Sequence, residues 1–154
     1  MSRSQLIPIG YAAPDFTCLL SDGNMFTLSG QRGHQRIALV FYPGNNTPVC
    51  TAQLCAFRDD WNTFQHEDTL VFGVNPANQT KHAQFVSRNH FPFPLLVDEG
   101  RKIAADYGCR AMFGLIRRSV YLIDKQGRVA FAERGNPTPQ SLLKAIQSLT
   151  DQSA

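Results

Sequence analysis

Two cysteines five positions apart, Cys50 and Cys55, follow a Thr47-Pro48 step and an earlier proline, Pro43. Residues of these types at this spacing suit sulfur redox chemistry. Threonine is a favoured helix N-cap and proline is favoured at the first helical position, so Thr47-Pro48 marks a helix start. Cys50 then falls in the first turn, around the third helical position. The backbone amides there have no helical partners and carry partial positive charge. A sulfur at such a place is held more readily as thiolate, the nucleophilic form. The plain alternative is a small buried apolar residue, since free cysteine is among the most buried types. The cap alone does not separate the two readings.

The composition narrows the function classes. The chain has 154 residues, 43% of them hydrophobic and 18% charged, as in an ordinary globule with one core. The net charge of +3 is spread out, with only the pairs Arg101-Lys102 and Arg117-Arg118, so no basic stripe for nucleic acid is present. The longest apolar run, 37–42, is too short to span a bilayer, and residues 1–10 lack a signal-peptide core. The default is a cytoplasmic protein, although a chain that has lost a transit peptide would read the same. The four histidines, His34, His66, His82 and His90, show no ligand spacing with the cysteines and read as solvated or hydrogen-bonded surface residues. No metal, flavin or nicotinamide motif is present, so no cofactor is expected.

The elements that must position Cys50 can be read from periodicity and turn residues. Segments 15–20 and 25–28 flank the turn Ser21-Asp22-Gly23-Asn24 and read as a hairpin. The apolar run 37–42 reads as a strand buried on both faces, ended by Pro43-Gly44. A helix over 48–64 follows, with Val49, Leu54, Phe57, Trp61 and Phe64 near a three-to-four spacing. Then come a strand at 70–74, a helix at 79–89 with Ala83 and Val86 on one face and Phe85 near it, a strand at 93–97 and a short helix at 101–107. A second hairpin, 120–123 with 129–132, precedes a final helix capped by Thr138 and running from Pro139 to about 149. This order predicts one α/β domain over 1–154: a mixed central sheet, helices on both faces and an N-terminal β-hairpin. Cys50 sits at a strand-to-helix edge, where open α/β sheets bind ligands.

The pattern Pro43-x-x-x-Thr47-x-x-Cys50 resembles the active-site signature of the peroxiredoxins (the AhpC/TSA family). Cys55, five positions on, resembles the atypical two-cysteine subgroup known as bacterioferritin-comigratory or Q-type. Ala13-Pro14-Asp15-Phe16, Phe41-Tyr42-Pro43, Phe57-Arg58-Asp59 and 118–124 resemble further family segments, so the likeness covers about 9–149. The resemblance implies a thioredoxin-like fold and a thiol-dependent peroxidase that reduces hydrogen peroxide and organic hydroperoxides. It implies Cys50 as the peroxidatic thiol and Thr47 as the residue that holds the peroxide. It gives Pro43 the role of shielding the site and Arg118 that of stabilising the thiolate and the departing oxygen. Gln53 and Val49 are implied to orient arginine and substrate. Fixed donors aimed at the departing oxygen lower the barrier, and arginine offers several in a rigid, permanently charged fork. Strand alternation puts Arg117 and Arg118 on opposite faces, and the match in register favours Arg118.

The same resemblance implies Cys55 as the resolving thiol, electrons from a thioredoxin- or glutaredoxin-like protein, and a monomer, with a dimer as the alternative. Residues five apart on a helix lie ~140° apart around the axis and ~7.5 Å along it. Their Cα atoms are then ~8.6 Å apart, beyond the roughly 7 Å limit for a disulfide. A Cys50–Cys55 bond therefore requires unwinding of about 47–57. Cys55 as a core residue is the alternative. Cys18, in a strand, reads as structural. Cys109, in the loop 107–110, reads as an exposed bystander or as an alternative resolving thiol. Two other functions fit the fold: a thioredoxin-type disulfide oxidoreductase, which would usually carry C-x-x-C rather than this C-x-x-x-x-C, and a non-catalytic binding module.

Overall fold

The apolar run after Gln35 becomes the hub of the sheet. In the computed structural model, which describes residues 3–153, it forms β3 (Arg36–Phe41). Before it lie β1 (Thr17–Leu20) and β2 (Met25–Thr27). After it come α1 (Pro48–Asp59), α2 (Trp61–His66), β4 (Thr69–Asn75), α3 (Gln79–Asn89), β5 (Leu95–Val97), α4 (Lys102–Asp106), β6 (Ser119–Ile123), β7 (Val129–Arg134) and α5 (Pro139–Ser153). The strands make one seven-stranded sheet in the order β2-β1-β5-β4-β3-β6-β7. β3, β4 and β5 are parallel, while β6 runs antiparallel to β3, β7 to β6, and β1 to β5. The expected N-terminal hairpin is therefore joined to the main sheet through β5. The fold is the mixed, helix-flanked sheet of the thioredoxin-like class.

Strand alternation divides the core into two layers. Ile37, Leu39 and Phe41 face one side with Ile103 and Ala104 of α4 and with Tyr107. Ala38, Val40 and Tyr42 face the other, beneath Leu54 and Phe57 of α1, Phe64 of α2, Phe85 of α3, and Leu142 and Ile146 of α5. Helices thus cover both faces, but four of the five α-helices among the described residues lie on the face that carries Cys50. Each fully buried Leu or Phe in these layers contributes roughly 1.5–3 kcal/mol relative to exposure.

Four expectations need correction. The helix over 48–64 is two helices, broken at Asp60 (φ −101°, ψ 12°). Aspartate has a low helix propensity, and the Asp60 carboxylate accepts instead from Gln140 Nε2 at 2.9 Å. Ala83, expected on a buried face, is exposed. The inward stripe of α3 is His82, Phe85, Val86 and Asn89, a regular i, i+3, i+4, i+7 set. The short helix at 101–107 is a 3-10 turn followed by α4, kinked at Gly100 and Arg101, which both have positive φ. The final helix runs past 149 to Ser153. Thr138 caps it as expected, its Oγ1 accepting from Ser141 N at 3.2 Å.

Candidate active site

The site is assembled by sheet register. β6 pairs with β3 so that Ser119 lies opposite Phe41. Arg118 therefore stands just beyond that pair, at the end of the sheet where β3 gives way to Tyr42-Pro43 and the start of α1. Thr47 caps α1 in an extended conformation (φ −83°, ψ 144°), and its Oγ1 accepts from Cys50 N at 3.3 Å. The Thr47 carbonyl accepts from Thr51 N at 2.9 Å and from Thr51 Oγ1 at 2.8 Å. Cys50 lies in the first turn and is 1% exposed. Its chain neighbours Thr47, Pro48 and Val49, together with Pro43, are exposed, so the sulfur sits one layer below the surface.

One guanidinium bridges two side chains of α1. Arg118 Nη2 donates to Cys50 Sγ at 3.2 Å and Nη1 donates to Gln53 Oε1 at 2.6 Å. Positions 50 and 53 share a helix face, so the two acceptors present themselves to one fork. Arginine cannot accept a hydrogen bond, which forces Gln53 to turn its carbonyl oxygen toward Arg118. The amide nitrogen must then point elsewhere. Gln53 Nε2 is, among the described residues, the buried side-chain polar atom with no hydrogen-bond partner. A helix N-terminus and a cation meet at this place, and both favour negative charge near them.

A second network underlies the loop between β3 and α1, and the sequence reading missed it. Tyr42 Oη donates to Asn45 Oδ1 at 2.7 Å, and Asn45 Nδ2 lies 3.1 Å from His82 Nδ1. His82 Nε2 lies 3.0 Å from both the Asn75 and Leu96 carbonyl oxygens. Two carbonyl neighbours require a proton on Nε2, which makes Nδ1 the acceptor for Asn45. His82, expected at the surface, is fully buried, and that burial holds its imidazole below the usual histidine range. Its signal was its place three residues before Phe85 on the inward stripe. Burial, then the neighbouring Cys50 charge, keep the Tyr42 phenol well above its usual range, so it stays a donor. Gly73 of β4 lets these parts meet: a Cβ there would lie 2.6 Å from Leu95 Cδ2, 3.0 Å from Tyr42 Cε1 and 3.3 Å from Leu54 Cδ2.

The remaining expected positions separate from this cluster. Pro43 terminates β3 at the surface, and Val49, counted among the apolar positions of the helix, is 58% exposed because it lies on the outer side of the first turn. Cys55 is on α1 with Cys50, partly buried, and both are free thiols. Arg117 is exposed, opposite in direction to Arg118. Cys18 is buried, and burial pushes its thiol up to about 12. Cys109 is not an exposed bystander. It is fully buried, its Sγ donates to the Tyr107 carbonyl at 3.4 Å, and burial pushes it up to about 11. The loop folds inward there because Cys109 N donates to Ala104 O and Cys109 O accepts from Arg117 N. No group of three or more His, Cys, Asp or Glu among the described residues is placed to hold a metal ion. No helix among them is long and apolar enough to cross a membrane.

The sequence matches the AhpC/TSA family over residues 9–132, a span that holds Thr47, Cys50, Gln53 and Arg118. The chain belongs to that family. It is 37% identical to Peroxiredoxin Bcp of Bacillus subtilis (strain 168), over 96% of this chain and 98% of that protein. It is 36% identical to the chloroplastic Peroxiredoxin Q of Oryza sativa subsp. japonica, over 91% of this chain and 67% of that protein. The crystal structure of peroxidoxin BcpB from Mycobacterium tuberculosis superposes with a TM-score of 0.86 at 25% identity, covering 92% of this chain and 97% of that one. Cys109 also faces a guanidinium, with Arg134 Nη1 at 3.9 Å from its Sγ, but only Cys50 combines a close arginine donor, at 3.2 Å, with a place in the first turn of a helix.

Proposed function

We propose that this chain is a thiol-dependent peroxidase in which Cys50 is the peroxidatic cysteine. The observation that carries the reading is the single guanidinium of Arg118 spanning Cys50 Sγ and Gln53 Oε1 at the N-terminus of α1. Family membership supports the reaction class. The Cys50 thiolate attacks one oxygen of the peroxide, the O–O bond breaks, and the other oxygen leaves as water or alcohol after taking a proton. Cys50 is left as a sulfenic acid. Arg118 offers the departing oxygen charged donors, while the Thr47 hydroxyl and the Val49 amide of the first turn can hold the substrate oxygens. Pro43 and Val49 form part of the rim through which hydrogen peroxide or an organic hydroperoxide enters.

Cys55 then attacks the sulfenic sulfur, a disulfide forms and water leaves. Because both cysteines lie in one continuous helix, this step requires the first turns of α1 to unwind. A thioredoxin- or glutaredoxin-like dithiol protein restores the two thiols. The test is rapid-mixing kinetics of peroxide consumption with thioredoxin supplied. Wild type turns over, Cys50→Ser is inactive, and Cys55→Ser completes one turnover and stalls. Activity retained in Cys50→Ser refutes the reading.

A further inference from the structure

We infer that two residues of α3, His82 and Arg88, form a latch that sets how fast α1 opens, and so decides the fate of oxidised Cys50. This rests on the peroxidase reading above. The latch grips the two residues directly before the Thr47 cap. Asn45 is held from both sides, accepting from Tyr42 Oη and donating to His82 Nδ1. His82 is itself tied by Nε2 to carbonyls of β4 and β5, which makes it a fixed post rather than a mobile side chain. Asn46 adopts a left-handed conformation (φ 64°), which asparagine takes more readily than other non-glycine residues and which turns the chain into the Thr47 cap. Its Oδ1 accepts from Arg88 Nη1 at 2.5 Å. Both grips come from one helix that the expected unwinding leaves intact.

The chemistry of the sulfenic acid gives the latch a consequence. Attack by the Cys55 thiol forms the S–S bond and releases water, and it needs α1 open. Attack on a second peroxide forms a second S–O bond, breaks the O–O bond and yields a sulfinic acid plus water or alcohol, and it needs the site intact. A tighter latch favours the sulfinic acid, and a looser one favours the disulfide. His82 and Arg88 are positioning residues that act through Asn45 and Asn46 and touch no reacting atom.

The test compares wild type with His82→Gln, Arg88→Ala, Arg88→Lys and the His82→Gln/Arg88→Ala double variant. Quenched mass spectrometry follows the Cys50 sulfenic acid, the Cys50–Cys55 disulfide and the Cys50 sulfinic acid over a hydrogen peroxide series. The first oxidation should stay within about twofold of wild type. Disulfide formation should rise roughly 2- to 12-fold in each single variant, the effect of losing one hydrogen bond, and further in the double variant. The sulfinic fraction should fall in step, amide exchange should quicken over 47–57 but not in β3 or β4, and Arg88→Lys should return part of the way. Arg88 is exposed, so Arg88→Ala tests the idea even if the buried His82 variant fails to fold. An Arg88→Ala protein that melts like wild type yet shows the same disulfide rate and sulfinic fraction overturns the latch. A wild type that never forms the Cys50–Cys55 disulfide refutes the functional reading instead.

Discussion

Replacing Arg118 by lysine keeps the positive charge and removes the fork, which isolates what the fork contributes. In the structure two separate nitrogens serve Cys50 Sγ at 3.2 Å and Gln53 Oε1 at 2.6 Å. A lysine has one nitrogen on a flexible stem, so at least one of these charge-assisted bonds is lost. Such bonds contribute about 1.5–3 kcal/mol each. With tenfold in rate per ~1.4 kcal/mol, Arg118→Lys should slow Cys50 oxidation about 10- to 150-fold. Arg118→Gln also removes the charge and should cost ~100- to 1,000-fold or more, as when an oxyanion donor is deleted. The assay is the first turnover with a small excess of hydrogen peroxide, in a Cys55→Ser background, quenched in milliseconds and read by mass spectrometry at Cys50. Thermal melts of the same proteins separate a local effect from unfolding. An Arg118→Lys variant within twofold of its parent would refute the claim that the bridge is what activates Cys50.

Thr47→Val removes the cap acceptor for Cys50 N and should cost ~1 kcal/mol in stability as well as most of the peroxidase rate, while Thr47→Ser should restore both. Gly73→Ala forces a Cβ against Leu95, Tyr42 and Leu54 and should destabilise by about 1–3 kcal/mol, read as a lower melting temperature and a slower first turnover. Cys18 and Cys109 should resist iodoacetamide at pH 8 while Cys50 and Cys55 are labelled, as mapped peptides would show. Burial holds Cys109 near 11 against an ordinary value of 9.0, so its neutral thiol supports the fold below pH 9. That support is lost as pH rises from about 9 to 11, by at most ~1.4 kcal/mol per pH unit, and Cys109→Ala should flatten the slope of stability with pH.

Local signals in the chain carried far, and their limits are physical. Thr47-Pro48 located the cap of α1 to the residue, because capping chemistry depends on neighbours within one turn. The uninterrupted apolar run gave β3 directly, because a strand buried on both faces has no polar alternation. Arg118 came from resemblance and alternation. Its place beside Cys50 rests on Ser119 pairing with Phe41, a register across 78 positions of chain that periodicity does not carry. His82 was misplaced because a histidine on a mostly polar helix looks solvated, and its partners Asn45, Asn75 and Leu96 all lie outside that helix. Cys109 was misplaced because the loop after Tyr107 folds inward through backbone bonds to Ala104 and Arg117, which leave no mark in composition.

The central claim is that one sulfur of four meets the peroxide. Its most direct test is to give the reduced protein one equivalent of hydrogen peroxide, block free thiols at once, and map every cysteine by mass spectrometry. The account predicts oxidation confined to Cys50, as a disulfide with Cys55 in the wild type and as a trapped sulfenic acid in Cys55→Ser, with Cys18 and Cys109 unmodified. Oxygen first appearing on Cys55, Cys18 or Cys109, with Cys50 still a thiol, would contradict it.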